Sequence, residues 1–382
     1  MKKRLLASRV FNDTGDWFYY FVIVVIIYTM SRNPIMMGIL SASYTLPGIL
    51  VSKKLANIIN KLNDRTSLIM FDLLRVIVLI GIVLTSNVWV ALICVFLEQV
   101  FAIGSNLSFQ RVTVDVVRDK EELLKFNRHL KAFSNISRLL VIPSYLLLHR
   151  FVSNKFVLGL DILFTIISLF ETVRIETTHC KFSAENTGSL ELKKFHFGKI
   201  TKMILVFSLL NVFRSFVDAY GIMYIGKISK NVSIGYTTLV FILSIADLLG
   251  SLMSKNVIKI ENLSQNKILI WSFTSILVLF TIPSVIHNVC CFIITIFLIR
   301  LVLSILGLFV LYNMQSSVPE KIHQYTALQT MAVDGVSLVN SIAGGFVIQK
   351  INIFNYMVIT ILIVFLLGIF LLKKNMSKNV KD

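Results

Sequence analysis

Apolar residues fill most of the chain in long stretches, which clusters of polar residues interrupt at regular intervals. A helix needs ~20 mainly apolar residues to cross the ~30 Å hydrocarbon layer of a membrane. Twelve stretches approach that length, at about 12–31, 34–52, 66–86, 88–109, 129–148, 152–173, 200–224, 232–253, 267–286, 289–313, 325–348 and 352–372. The pattern predicts an all-α integral membrane protein with twelve transmembrane helices.

The second half of the chain repeats the first half at a constant offset of 202 residues. The matching positions are Asp16 and Asp218, residues 48–53 and 250–255, and, with opposite charge, Glu98 and Arg300. Parallel repeats in a membrane protein are typical of transporters whose two halves move about a central site. The repeat therefore predicts two six-helix pseudo-repeats and favours solute transport.

The longest polar stretch lies between the sixth and seventh apolar segments, from Ile175 to Lys199. A boundary between repeats is expected at this point. We predict an N-terminal six-helix half at 1–174, a cytoplasmic central loop at 175–199 and a C-terminal six-helix half at 200–382.

The composition makes lipid the expected solvent, because 56% of the residues are hydrophobic and only 15% are charged. The net charge of +18 does not indicate a nucleic-acid partner, since the basic residues lie at segment ends. With both termini in the cytoplasm, 28 of the 38 Lys and Arg residues fall on the cytoplasmic side. The positive-inside rule therefore predicts that both termini are cytoplasmic. We expect a multi-pass protein of the cell membrane, that is, of a bacterial inner or plasma membrane.

The sequence contains no motif for metal, nucleotide or covalent chemistry. The four cysteines have no C-x-x-C spacing, the six histidines are scattered singly, and no nucleotide-binding loop or Ser/His/Asp arrangement is present. We therefore predict a protein that is not an enzyme, without a metal or cofactor. The expected partners are the lipid bilayer, a small-molecule substrate and protons, but no nucleic acid, and we expect a monomer.

Several short motifs are similar to those of one transporter family. They are Asn12-Asp13-Thr14-Gly15-Asp16, the loop at 56–65, Asp72-Leu73-Leu74-Arg75, Asp161-Ile162-Leu163-Phe164, residues 315–320 and Gly344-Gly345. With these motifs the chain resembles the major facilitator superfamily, and within it the macrolide-efflux or drug:proton antiporter group. The resemblance implies two halves around a central cavity and proton-coupled efflux of an amphipathic small molecule, a drug or a peptide antibiotic.

The loop after the second segment departs from the family's pattern. Ala56, Asn60 and Lys61 stand where the family has Gly, Asp and Arg, ahead of Asp64 and Arg65. The fifth segment lacks the glycines of the antiporter motif. These departures leave a second interpretation open, that of a non-transporting membrane immunity or sensor protein that retains the transporter fold.

Acidic side chains inside the apolar segments are candidates for proton coupling, since ionisable groups are costly there unless they are paired or hydrated. Glu98, near the middle of its segment, is the first candidate; the alternatives are a hydrogen-bonded neutral acid and the partner of a buried arginine. Asp16 and Asp218 follow, with a helix cap and an ion pair to Arg214 as the respective alternatives. The further candidates, whose partners the sequence does not show, are Asp161, Asp247 and Asp334.

Aromatic and basic side chains supply candidates for a cavity or a gate. Tyr19 and Tyr20 are candidates for contact with an aromatic or cationic drug. The alternative is that these rings only contact lipid and neighbouring helices. Arg138 is a candidate for attracting an anionic substrate, or for binding a lipid phosphate. Arg214 and Arg300 complete this set.

Two pairings of charged residues are open from the sequence. Glu98 and Arg300 are partners only if the two halves bring them together. Asp72 and Arg75, three residues apart, are expected to form a structural pair at the cytoplasmic end of the third helix.

Overall fold

A computed structural model describes residues 1–59, 62–117, 119–148, 151–175, 199–258, 265–317 and 322–373. The described residues form twelve α-helices, which confirms the predicted number. They are α1 Lys2–Ser31, α2 Pro34–Ile59, α3 Asp64–Leu84, α4 Val88–Val116, α5 Lys120–Leu148, α6 Asn154–Val173, α7 Lys199–Ile228, α8 Val232–Ile258, α9 Gln265–Val285, α10 Val289–Ser317, α11 Ile322–Ile351 and α12 Ile353–Lys373.

Short polar side chains fix where several helices begin. The side-chain oxygens of Asn63, Asn87 and Ser153 accept hydrogen bonds from backbone N–H groups in the first turns of α3, α4 and α6. These contacts satisfy N–H groups that have no partner within a helix. The tight turns after α1 and α11 contain Arg32 and Asn352, which have left-handed backbone conformations with φ angles of 47° and 83°.

Several helices are longer than the apolar segments that predict them. α1 begins at Lys2 and α4 continues to Val116, each several residues beyond the apolar stretch. The hydropathy pattern detects only the apolar part of a helix, which contacts lipid. It does not detect polar helical turns at the ends of that helix.

Eleven of the twelve described helices contain a stretch long and apolar enough to cross a membrane. The exception is α5, whose sequence carries seven charged residues between Lys120 and Arg138. Large apolar side chains such as Trp271, Leu366 and Phe370 are exposed on the outer faces of the helices. A lipid solvent accounts for such exposure, and the protein is a multi-pass membrane protein.

The helices cluster into two units. The first comprises Met1–Arg32 and Ala42–Thr187. In it α1 packs mainly on α6 and α3 packs on α4, while α3 also contacts α6. Phe164 of α6 stacks against both Phe11 and Phe18 of α1, each with ring centroids 6.2 Å apart. The interface of α1 and α6 is thus the most extensive in this unit, and the polar site described below lies on it.

The second unit comprises Asn33–Ser41 and Gly188–Asp382. Its main contacts join α8 with α10 and α7 with α11. The first turns of α2 belong to it because they lie against α11: the hydroxyl groups of Ser41 and Ser341 are 2.8 Å apart. A side chain at Gly345 would collide with the backbone of this segment, so the close approach requires glycine there.

The repeat is visible in the lengths and positions of the helices. α3 and α9 both have 21 residues, α4 and α10 both have 29, and the two pairs start 201 residues apart. α5 and α11 start 202 residues apart. The fold is therefore all-α, with two six-helix pseudo-repeats.

Candidate functional site

The first unit contains a buried cluster of charged and polar side chains centred on Arg75. Arg75 lies in the middle of α3, and its side chain is 1% exposed. An arginine at this depth must have its N–H donors satisfied by the protein, because neither lipid nor the apolar interior accepts hydrogen bonds. The neighbouring helices α1 and α4 supply the acceptors.

Three side chains accept hydrogen bonds from the Arg75 guanidinium. Glu98 of α4 accepts through Oε1 from both Nε and Nη2, at 3.0 and 2.8 Å. Asn12 of α1 accepts from Nη1 at 3.0 Å. Asp16, one turn further along α1, accepts from Nη2 as well. The guanidinium therefore joins α1, α3 and α4 through charge-assisted hydrogen bonds.

Glu98 is as deeply buried as the sequence predicts, with 1% of its side chain exposed. Its carboxylate is fully engaged: Oε1 binds Arg75, and Oε2 accepts a hydrogen bond from the Gln99 amide at 2.9 Å. Of the alternatives open from the sequence, the geometry matches the partner of a buried arginine. That arginine is Arg75 of the same unit and not Arg300.

Asp16 is the accessible end of the cluster. Its side chain is 34% exposed, whereas those of Arg75 and Glu98 are each 1% exposed. It does not cap the start of α1, because the helix begins fourteen residues earlier at Lys2. Asp16 therefore connects the buried ion pair to a less enclosed part of the protein.

Asp161 of α6 is fully buried against α1. It lies next to Gly15, where an added Cβ would collide with the Asp161 carboxylate and lie in tight contact with its backbone. Oδ1 is 3.4 Å from the Thr165 hydroxyl, and Oδ2 has no hydrogen-bond partner among the described residues. Arg75, Asp16 and Glu98 all act on it electrostatically. The Arg75 guanidinium thus pairs directly with Asp16 and Glu98 and acts only at longer range on Asp161 and Asp72.

Asp72 and Arg75 interact electrostatically, but they form no direct ion pair within the ranges that the structure describes. The Asp72 carboxylate accepts a hydrogen bond from the Ser105 hydroxyl of α4 at 2.6 Å, and Arg75 binds Glu98 and Asp16. The spacing of three residues suggested the pair, but both side chains are directed to neighbouring helices. Arg75 also lies in mid-helix, 1% exposed, and not at the cytoplasmic end of α3.

The other residues predicted from the cytoplasmic loop motif have different positions. Asn60 and Lys61 lie outside the described residues. Asp64 forms an ion pair with Arg111 of α4 at 3.3 Å. The guanidinium of Arg65 donates to the backbone carbonyl of the last residue of α6. Asp64 and Arg65 therefore hold helix ends together.

Aromatic side chains lie next to the charged cluster on α1. Tyr20 has its ring centroid 5.5 Å from that of Tyr44 in α2 and 6.1 Å from that of Trp17. The Arg138 guanidinium of α5 lies 4.6 Å from the centroid of the Trp17 ring, which is a cation–π distance. Tyr19, by contrast, is buried to 2% exposure. The rings of Trp17 and Tyr20, not that of Tyr19, are partly accessible.

The candidates in the second unit form separate ion pairs. Arg300 of α10 binds Asp247 of α8 at two points, Nε to Oδ1 at 2.8 Å and Nη2 to Oδ2 at 3.0 Å. Arg214 and Asp218 are 3.5 Å apart on α7, as the alternative interpretation of their spacing predicts. Asp334 lies within electrostatic reach of Arg214. Arg214 and Arg300 line one cleft of this unit.

The sequence did not reveal four polar side chains that form hydrogen bonds with the buried charged residues of this unit. Asn12 precedes Asp16 by one helical turn, and that spacing would have placed both on one face of α1. Gln99, Ser105 and Thr165 carry no charge and give no signal in an apolar segment. Among the described residues, no group of three or more His, Cys, Asp or Glu side chains is arranged to hold a metal ion.

Comparisons with known proteins bear on the fold. No protein-family model matches the sequence, and no curated protein sequence matches it. Solved structures match it over nearly its whole length. The nucleoside transporter NupG has a TM-score of 0.76 at 11% identity, covering 98% of each chain.

Two further structures give similar values. A bacterial homologue of the iron transporter ferroportin, in an inward-facing state, has a TM-score of 0.73 at 14% identity and covers 98% of each chain. A bacterial homologue of the human lysosomal transporter Spinster has a TM-score of 0.70 at 11% identity, covering 97% of this chain and 95% of that one. At these identities the likeness concerns the fold, and the chain has the twelve-helix major facilitator fold.

Proposed function

We propose that the protein is a secondary active transporter that exports an amphipathic small molecule, such as a drug or a peptide antibiotic, in exchange for protons. Similar solved structures are, by their names, a nucleoside transporter, a bacterial homologue of an iron transporter and a bacterial metal transporter. Fold alone does not determine function, so the argument for this chain rests on its own buried residues.

The observation that carries the proposal is the charged cluster around Arg75. Three carboxyl groups and one guanidinium lie together in membrane-spanning helices, where uncompensated charge is costly. Full ionisation of Asp16, Glu98 and Asp161 would leave two negative charges in excess of Arg75. Binding of protons removes that excess. Because Asp16 is 34% exposed, the cluster also has an accessible point at which protons are exchanged.

The nature of the substrate is inferred from the side chains beside the cluster. Trp17 and Tyr20 offer partly accessible rings within one turn of Asp16, a combination that suits an aromatic or apolar molecule with a positive charge. The direction of export and the antiport mechanism follow from the resemblance of the helix-one and second-half motifs to drug:proton antiporters. We propose that the protein works as a monomer in the cell membrane, with both termini in the cytoplasm.

The test is transport by purified protein in lipid vesicles. A pH gradient with an acidic lumen is imposed, and the membrane potential is held at zero with valinomycin and equal potassium on both sides. Radiolabelled tetraphenylphosphonium, an aromatic permanent cation, is added outside. We expect it to accumulate inside as protons leave, and to be released when nigericin collapses the gradient.

Arg75→Gln supplies the inactive variant and Lys2→Gln, on an exposed surface pair, supplies the control. We expect the first to lose accumulation and the second to retain it. If neither tetraphenylphosphonium nor a macrolide accumulates with the native protein, the proposal of proton-driven export is wrong. Binding of these compounds without accumulation would then favour the non-transporting immunity or sensor protein.

A further inference from the structure

Asp161 differs from every other acid of the cluster in having almost no compensation. It is 0% exposed, and it forms no ion pair with any residue that the structure describes. One carboxyl oxygen lacks a hydrogen-bond partner within the described ranges, and the other has only the Thr165 hydroxyl at 3.4 Å. A carboxylate in such surroundings lacks the donors that normally replace its water shell.

Glu98 and Asp16 do have such compensation. Glu98 receives two hydrogen bonds from Arg75 and one from Gln99. Asp16 binds the same guanidinium and is a third exposed. Both acids therefore have charge-assisted hydrogen bonds that compensate a negative charge where they lie, which Asp161 lacks in the described part of the chain.

The charges that face Asp161 favour its neutral form. The groups that act on it are Asp16 and Tyr19 of α1, Arg75 of α3 and Glu98 of α4. Arg75 is already shared by two carboxylates, so these three groups together carry one negative charge. A further carboxylate at Asp161 would double that charge in a buried place, whereas a carboxylic acid adds none.

We propose that Asp161, and not Glu98, is the carboxyl group that binds and releases the proton in this protein. On release, the O–H bond of the Asp161 carboxylic acid breaks and the proton passes by way of Asp16 to water. The electron pair stays on the Asp161 oxygen. The new carboxylate attracts Arg75, in competition with Glu98 and Asp16, and so changes the contacts among α1, α3 and α6.

This inference deepens the proposed function, on which its coupling to transport rests. The consequence of proton release is placed at Gly15, where α1 and α6 approach closely. Because the Asp161 carboxylate and backbone both lie against Gly15, a change in the hydration or position of the carboxylate acts directly on the contact between the two helices.

Infrared difference spectra test the binding of the proton without any substrate. Purified protein in lipid is titrated with acid and base, and the carbonyl stretch of a protonated carboxyl group is followed. We expect Asp161→Asn to abolish this titrating band. Glu98→Gln should keep it, and so should Asp72→Asn, the matched control, since Asp72 is equally buried but accepts a hydrogen bond from Ser105.

Isotope labelling keeps the test decisive if Asp161→Asn does not fold. In the native protein the titrating band should shift with aspartate labelled with carbon-13 at the side-chain carboxyl, and not with labelled glutamate. A band that shifts with glutamate, or that survives Asp161→Asn, overturns the proposal.

Transport is measured in the same preparations. Gradient-driven accumulation of tetraphenylphosphonium should be lost in Asp161→Asn and retained in Asp72→Asn; accumulation by Asp161→Asn overturns the coupling role. If the native protein accumulates no probe, the proposed function fails, and the infrared band still decides whether Asp161 binds the proton.

Discussion

The carboxylate of Asp247 and the guanidinium of Arg300 meet at two points, 2.8 and 3.0 Å apart, between α8 and α10. Arg300 matches Glu98 at the 202-residue offset of the sequence repeat. Both residues are paired within their own unit, but the sign of the charge is reversed. The partner also changes, from α3 for Glu98 to α8 for Arg300. The two sequence repeats thus have different ion pairs in α4 and α10.

Arg300→Gln should destabilise the protein. The substitution leaves Asp247 without its two charge-assisted hydrogen bonds in a setting where its side chain is 29% exposed. We expect the free energy of unfolding to fall by roughly 1–3 kcal/mol, measured as a lower midpoint of thermal unfolding in detergent. Arg214→Gln is the control, because its pair is half-exposed and contributes less than about 1 kcal/mol. Equal losses in both variants would contradict the distinction between the two pairs.

Arg75→Gln should be more destabilising than Arg300→Gln. Arg75 is 1% exposed and serves Asn12, Asp16 and Glu98 together, so its removal leaves buried acceptors without a donor. The expected loss is about 3–5 kcal/mol. The double variant Arg75→Gln, Glu98→Gln should recover part of it, because the buried carboxylate is removed as well. A double variant less stable than the single one would show that Glu98 does not depend on Arg75.

Gly15→Ala should disturb the contact between α1 and α6. The added methyl group collides with the carboxylate of Asp161 and crowds its backbone, and overpacking of this kind costs about 1–3 kcal/mol. Gly48→Ala is the matched control in α2, since nothing lies within 4 Å of the added carbon. In a helix interior it should be neutral or stabilising by up to ~1 kcal/mol. The comparison of unfolding midpoints checks both, and tolerance of Gly15→Ala would exclude a tight approach of these helices.

The orientation in the membrane is a prediction from the distribution of basic residues. Green fluorescent protein fused within 175–199 or after Leu372 should fluoresce, because it folds in the cytoplasm and not outside. Alkaline phosphatase fused at the same places should be inactive. The reverse result at either place would overturn the cytoplasmic assignment of that segment. A fusion near Lys230, on the predicted outer side, provides the opposite control.

Hydropathy predicts the helices because eleven of the twelve described helices contain a stretch that is apolar enough for lipid. The buried cluster was harder to predict, since Arg75 and Glu98 are 23 residues apart on different helices. Glu98 was visible as an acid in mid-segment, but its partner depends on how α3 rotates against α4. Because α3 has apolar side chains on both of its faces, its sequence does not reveal how it is rotated against α4.

Polar residues without charge were the least predictable part of the site. Thr165 and Ser105 contribute one hydroxyl each, and similar residues bind their own helix backbone elsewhere in the chain. In the sequence, Gly15 is notable only as part of its motif. The structure explains the glycine by the close contact of Asp161 with it. Only the packing of neighbouring helices, α1 on α6 and α3 on α4, distinguishes such positions from ordinary helix residues.

A single nitrogen of Arg75, Nη2, donates to both Asp16 and Glu98. Substitution of one acceptor changes the geometry available to the other, so their energetic effects should not add. Over evolutionary time, positions 16, 75 and 98 are then constrained as a set. Among relatives of this chain, these three positions should covary, while the partly buried pair of Asp64 and Arg111 should vary independently of them.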